Sequence, residues 1–436
     1  MEEFIKNNYK KLIIIICILA IIIRLVFIFQ VKAAEVQYDV CGLELNSHED
    51  YDKVFNDYYT DEMIEGRHIS YILYIHDNWK LPDKIVGQFY HPPLHHFICA
   101  VLIRCVEFFT DDSVIKLESL QFLPFIYSMI MLWAFYRILC ELDVKEFGKV
   151  IMMAVVAFYP INIMMAGAIN NDTLVTTLAI LMLLYTIKWE KSSSFKDAFI
   201  VSLLFGLGML TKTSMSVMIV FPVYVFFKLL SSFVNENDFK GVKKLLVELL
   251  IFIVIGGGLS ISFHAIRLRD GFDTIGIIEA KETMSLKEYP LFRRYGLTNI
   301  FKLDEVNMFN SFLYTQITYL RLTKINISAL ICVIIATLFV FLGIYYMIKN
   351  FKENKGLAIT YLTWWFGFIY LNVSMPFSCS NNARYMVVPI LIQLMVIARS
   401  LEKENRTKLK NFIYSICCIF TIFSISFMIQ VINVFV

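Results

Sequence analysis

The sequence predicts an all-α polytopic membrane protein with about eleven transmembrane helices and two large extracytoplasmic loops carrying juxtamembrane helices, and three observations predict it. Its 436 residues are 58% hydrophobic and only 18% charged, far more apolar than a water-soluble domain. The apolar residues fall in runs of roughly twenty without charges, the length that crosses about 30 Å of hydrocarbon at 1.5 Å per residue. No segment shows the roughly ten-residue alternation of a barrel strand.

In chain order the apolar runs lie near 12–31, 119–137, 149–167, 173–188, 198–211, 214–231, 245–266, 326–348, 357–375, 385–400 and 411–434. The first lacks a small-residue cleavage site after it and exceeds a signal-peptide core, so it reads as a retained helix. Arg24 is the main charge within a run, toward its outer end, which suggests support of an interface or a site. Lys and Arg decide the orientation by the positive-inside rule. With a cytoplasmic N-terminus, the inner segments hold Lys10 and Lys11, Lys188 and Lys191, Lys240 and Lys243, Lys349 and Lys352, and Arg399 and Arg406, whereas the short outer loops hold only Lys212 and Arg384. This reading puts the C-terminus outside, together with two long segments at 32–118 and 267–325, within one membrane-embedded domain spanning 1–436. The stretch 94–109 is apolar enough to cross, but a crossing there would invert every later loop. It is therefore expected to lie in the outer interface.

A net charge of +3 offers no basic excess for nucleic acid. Most cysteines sit in or beside apolar runs, where a thiol acts as a small hydrophobe. Only Cys41 and Cys379 fall in outer loops, a weak basis for a disulfide.

The residues that can carry chemistry gather outside. The first loop is acidic, and most of its carboxylates are expected to be solvated. Asp39 differs by standing just beyond the first helix, within reach of a lipid-borne substrate. Downstream, Tyr90-His91-Pro92-Pro93-Leu94-His95-His96 forms a turn stiffened by two prolines, with imidazoles to bind or bond. His95 and His96 are adjacent and face different sides of a helix, which argues against a metal shared by that pair alone. Asn171 and Asp172 open a later span, where either is accounted for as an N-cap, Asp172 is a second acid over a site, or both hold together. Lys212 and Arg384 run against the charge bias of the outer side. Each either holds an anion such as a lipid phosphate or snorkels to headgroups. Tyr385 follows Arg384, and Arg267 with other cations and tyrosines of the second loop is placed to close over a sugar.

These motifs, in this order, resemble the GT-C class of polytopic glycosyltransferases, and within it the family-39-like protein mannosyltransferases and aminoarabinose transferases of lipid A. The resemblance runs from Asp39 after the first helix, through His91 to Leu94, Asn171-Asp172 and Leu210 to Lys212, to Arg384, Tyr385 and Pro389. It implies an inverting transfer of a hexosyl or pentosyl group from a polyprenyl-phosphate-linked donor to an extracytoplasmic acceptor, whether protein, lipid or cell-wall polymer. Asp39 would be the base, and Lys212 and Arg384 the charges on the departing phosphate. His91, His95, Asn171, Asp172 and Tyr385 would bind substrate, beside membrane lipid in the groove between helices. The family usually has adjacent Asp-Glu after the first helix, whereas here Val40 follows Asp39 and the pair Asp61-Glu62 comes later. The identity of the base is thereby open between them. Some relatives bind a divalent metal near the Pro-Pro turn, but no ligand set here is clear enough to assign one.

Two other classes use many helices. A transporter or lipid flippase would place ionisable groups at mid-depth and often shows inverted halves, and neither feature is evident. A non-catalytic GT-C-like assembly protein would keep the fold and lose the base. The richness in Ile, Lys and Asn fits a bacterium with an AT-rich genome, and so the bacterial plasma membrane.

Overall fold

A computed structural model describes residues 2–36, 40–84, 86–272, 327–374 and 383–435. Asp39, Cys379 and almost all of the second long loop lie outside the described residues. Among those described there are helices and turns and no strand.

The first apolar run becomes α1 (Glu2–Gln30). Ala20, Arg24 and Phe27 recur at helical spacing and are fully buried, while Ile14, Ile18 and Ile22 are half exposed on the other face. That inverted pattern suits a helix whose outer solvent is hydrocarbon rather than water.

Between α1 and the next long helix the chain builds a lobe with its own core. It contains α2 (Ala33–Val36), α3 (His48–Asp57), α4 (His68–Asn78), α5 (Leu94–Glu107) and α6 (Ser113–Ser119). Leu45, Val54, Ile64, Ile72, Phe89, Cys99, Ile103 and Leu117 fill that core, and Cys41 is buried in it. Two of the lobe's helices start on side-chain caps: Ser47 and Asp50 close a reciprocal capping box on α3, and Asp112 caps α6, each satisfying amide groups the first turn leaves free. At 14 residues, α5 reaches about 21 Å, too short to cross the hydrocarbon.

The rest is a bundle: α7 (Phe122–Glu141), α8 (Glu146–Ala157), α9 (Pro160–Met164), α10 (Asn171–Ser192), α11 (Phe195–Met209), α12 (Val220–Asn235), α13 (Phe239–Ile251), α14 (Gly258–Arg269), α15 (Ile327–Lys349), α16 (Phe351–Ser374), α17 (Val387–Leu401) and α18 (Thr407–Phe435). Over its described residues, each of the eleven apolar runs is mainly helical. Among the described residues, eight helices are long and apolar enough to cross a membrane, or nine when the bent pair α8 and α9 counts as one. The expected eleven crossings would also need α11, which has only 15 residues, and α16, whose first turns carry Lys352, Glu353 and Lys355. This is an integral membrane protein with α10 and α17 at its centre: 83% and 89% of their apolar windows are buried, against 17% for Phe239–Arg269.

The bend between α8 and α9, 60°, has a local cause. Pro160 opens α9 and holds Tyr159 extended, so the carbonyls at the end of α8 lose their helical donors. Asn162 Nδ2 donates to the Val156 carbonyl at 3.0 Å, and Arg24 Nη1 donates to the Ala157 carbonyl at 2.9 Å. Arg24 Nε also donates to Ser128 Oγ at 2.9 Å. The buried Arg24 thus serves a helix break inside the bundle, a more specific task than the support of an interface or a site expected of it.

Candidate functional site

The lobe and the bundle meet where α10, α17 and the segment after α11 begin. Asn170, not Asn171 or Asp172, is the N-cap of α10: its side chain accepts from the Asp172 amide at 2.9 Å. This corrects the N-cap expected at 171 or 172. Asn171 is the first helical residue, and its Nδ2 donates to the Thr211 carbonyl at 3.2 Å. Asp172 is left with its carboxylate directed at other elements, in a first turn where the helix dipole favours a negative charge.

Two cations meet that carboxylate. Lys212 Nζ donates to Asp172 Oδ1 at 2.5 Å, and Arg384 Nε lies 3.2 Å from Asp172 Oδ2. All three side chains are buried. Lys212 stands in extended backbone between α11 and a 3-10 turn, Thr213–Ile219. Arg384 lies in the 3-10 turn Ala383–Met386 that leads into α17. Tyr385 joins them: the Lys212 ammonium is 4.8 Å and the Arg384 guanidinium carbon 5.0 Å from its ring centre, and Arg384 Nη2 donates to its hydroxyl at 3.0 Å. Trp364 Nε1 holds this turn by donating to the Tyr385 carbonyl at 2.7 Å. Among the described residues, two cations thus converge on one carboxylate, in surroundings that screen charge poorly.

The His-Pro-Pro turn reaches the same place from the lobe. The Leu94 amide donates to the Leu210 carbonyl at 3.0 Å, so the backbone of one sequence motif is tied to that of another. Upstream, Gly66 and Gly87 both take positive φ, and the Gln88 amide donates to Gly66 O at 2.6 Å. A Cβ on Gly87 would come within 2.0 Å of that oxygen, so only glycine allows the approach. Arg267, expected to close over a substrate, instead buries its guanidinium here, donating to the Pro82 and Phe89 carbonyls.

His91 is buried beside the cations. Burial first, then the charges of Lys212, His68 and Arg384, hold its imidazole well below the usual histidine range, so it is neutral at physiological pH. Its ring lies parallel to that of His68, 6.1 Å away. His68 in turn shares a hydrogen bond of 2.9 Å between its Nδ1 and His96 Nε2. Burial is likewise the main cause that keeps His96 well below its ordinary value and brings His95 down to about 3. His95 Nε2 lies 3.5 Å from Cys99 Sγ, with its ring edge-on to Tyr127. Sequence reasoning missed His68, which opens an apolar helix with no motif around it; only its burial among other imidazoles distinguishes it. Among the described residues no group of three or more His, Cys, Asp and Glu side chains is arranged to hold a metal ion.

The structure therefore brings Asp172, Lys212, Arg384 and Tyr385 into direct contact, with His91 beside them and Asn171 tied to the segment that carries Lys212. His95 makes its contacts one layer away, with Cys99 and Tyr127, and Asp39 lies outside the described residues. An open, mostly apolar groove of about 240 Å³ runs past the joined motifs, lined by Ile75, Trp79, Leu81, Pro93, Leu94 and Leu210 among others.

The sequence profile of the dolichyl-phosphate-mannose-protein mannosyltransferase family matches residues 90–257, a stretch that opens on the His-Pro-Pro turn and contains Asp172 and Lys212. Among solved structures, the archaeal oligosaccharyltransferase AglB from Archaeoglobus fulgidus, in complex with an inhibitory peptide and a dolichol-phosphate, aligns over 97% of this chain with a TM-score of 0.50 at 11% identity. The fold is of the GT-C class. The apo form of the Archaeoglobus fulgidus oligosaccharyltransferase aligns over 97% of this chain with a TM-score of 0.49 at 12% identity. This chain spans about half of those proteins, 56% and 55% of their lengths. No curated protein matches its sequence.

Proposed function

We propose that this GT-C protein is an inverting glycosyltransferase that moves a hexosyl or pentosyl group from a polyprenyl-phosphate-linked donor to an acceptor on the extracytoplasmic side of a bacterial plasma membrane. The observation that carries the reading is the pair of buried cations, Lys212 and Arg384, gathered on Asp172 at the seam where the His-Pro-Pro turn is bonded to the Leu-Thr-Lys segment. The dolichol-phosphate bound to AglB supports a polyprenyl phosphate as the carrier here.

In this mechanism the acceptor oxygen attacks the anomeric carbon from the face opposite the phosphate. The new C–O bond forms as the old one to phosphate breaks, and its electron pair leaves with the lipid phosphate. Asp39 accepts the acceptor's proton. Lys212 and Arg384 meet the charge that develops on the phosphate, fixed in place beforehand by Asp172 so that no reorganisation is needed at the moment of reaction. His91, neutral, offers a hydrogen bond to the sugar without adding a charge. The apolar groove beside Leu94 and Leu210 receives the first part of the polyprenyl chain, which needs an apolar wall.

Purified protein supplied with labelled polyprenyl-phosphate sugars should release polyprenyl phosphate only when acceptor is present. Asp39→Asn should abolish that release while the protein stays folded in the membrane. Full activity of the variant would remove Asp39 as the base and leave Asp61 and Glu62 to be tried. No release from any donor would favour the transporter or the non-catalytic assembly protein.

A further inference from the structure

The far end of the bundle holds a second concentration of positive charge. Asp172 and Glu190 stand eighteen residues apart on α10, so about 27 Å separates the candidate site from the other end of that helix. α17 repeats the arrangement, leaving Arg384 at one end and carrying Arg399 near the other. At this far end lies a cavity of about 390 Å³, lined by residues of α10, α12, α16 and α17. Five cations enter it, Lys191, Lys228, Lys352, Lys355 and Arg399, against two carboxylates, Glu190 and Glu353.

The carboxylates are already engaged. Glu190 pairs with Lys228 at 2.8 Å, and Glu353 pairs with Lys403 at 2.6 Å. Arg399 Nη1 donates to the Glu353 carbonyl at 2.6 Å, which fixes its position at the rim. The ammonium groups of Lys352 and Lys355 have no ion pair among the described residues, and that of Lys355 lies 5.5 Å from the Tyr224 ring centre. Beneath this cationic mouth the floor is apolar, made by Ile187, Phe221 and Leu357. Phe221 and Lys228 are two turns apart on α12, so the cavity extends about 10 Å along the bundle axis. Gly356 permits this shape: a Cβ there would stand 2.1 Å from the Phe221 ring.

Basic residues at one end of a bundle are expected from topology alone. Their convergence from separate helices over one apolar floor is not. We propose that this cavity is a binding site for a phosphate group, and that the floor suits it to the phosphate of an anionic phospholipid whose first methylenes enter beneath the lysines. Lys352 and Lys355 are the cations available to it, Arg399 orients it, and Phe221 and Leu357 take the apolar part. Glycerol phosphate carries the same head chemistry without the chain and is the alternative source.

The test uses the full chain in nanodiscs of phosphatidylcholine, with thermal unfolding followed as phosphatidylglycerol is titrated in and, separately, as glycerol phosphate is added to the buffer. Lys352→Gln/Lys355→Gln is compared with Lys240→Gln/Lys243→Gln, which removes the same charge from exposed positions at the same end but outside the cavity. Stabilisation of the wild type by phosphatidylglycerol is expected, with an apparent affinity roughly thirtyfold weaker in the cavity variant, at about a kcal/mol per lysine near a membrane surface, and unchanged in the control. The same pattern with glycerol phosphate alone would support the site and assign it a soluble ligand. Stabilisation by neither, or equal weakening in both variants, would overturn the proposal.

Discussion

The lobe and the bundle solve opposite problems with the same amino acids. In the lobe, apolar side chains such as Val54, Ile64 and Phe89 turn inward, and carboxylates are used locally: Asp50 caps α3, and Asp61 pairs with Lys53 at 2.7 Å and accepts the Met63 amide. In the bundle the apolar side chains face outward as well, and the polar ones that remain inside are held by specific partners. Arg24 is held by Ser128 and two carbonyls, and Trp189 Nε1 donates to Glu248 at 3.1 Å. The difference teaches where a charge carries information. Most lobe carboxylates can find water, so their presence says little, Glu118 with its bonds from Tyr51 and Ala33 being an exception; a buried bundle charge has no such refuge, so its partner is part of the design.

The largest test of this contrast is Asp172, which belongs to the second kind. Asp172→Ala leaves two cations buried against each other, and the fold should lose about 3–5 kcal/mol, the usual cost of removing one partner from a buried ion pair. Thermal unfolding in detergent measures it. Arg384→Lys keeps the charge but loses the planar fork, so the transfer rate should drop about a hundredfold or more with a much smaller change in unfolding temperature. A loss in both of the same size would make the cluster structural only.

The next effect is a pH dependence that comes from the imidazoles near the seam. His91, His95 and His96 are neutral when folded, with values far below 6.5, whereas in the unfolded chain they take up protons below about 6.5. Protons therefore bind the unfolded state more, and stability falls as pH drops below that value. The slope approaches about 1.4 kcal/mol per pH unit for each imidazole, and for His95 continues down toward its folded value. His95→Gln should lower the slope by up to about 1.4 kcal/mol per pH unit between roughly pH 6.5 and 5. An unchanged slope would mean that these histidines reach water.

The smallest effect belongs to the lobe's wet charges. Asp61→Asn removes a pair whose lysine is 45% exposed, and stability should change by no more than about 0.5 kcal/mol. Transfer should be unaffected. Loss of transfer without loss of stability would move the base from Asp39 to Asp61.

Much of this architecture is legible in the amino-acid order alone. The eleven apolar runs are mainly helical over their described residues, and the His-Pro-Pro turn, Asp172, Lys212, Arg384 and Tyr385 do meet, because turn chemistry and charges that defy the topological bias are local signals. The features that are not legible depend on partners distant in the chain. The N-cap of α10 falls on Asn170 rather than on Asn171 or Asp172. Arg267, expected to close over a sugar, is drawn instead into the wall behind the turn. His68 has no signal of its own until packing sets it against His91 and His96.

The sequence by itself determined the solvent, the helices and their order, since hydropathy over about twenty residues decides whether a segment enters hydrocarbon, and that property needs no neighbour. Only the tertiary structure decided which charge answers which: Lys212 and Asp172 are 40 residues apart, and their contact exists because α10 is buried at the centre, where an unpaired charge would be too costly to keep.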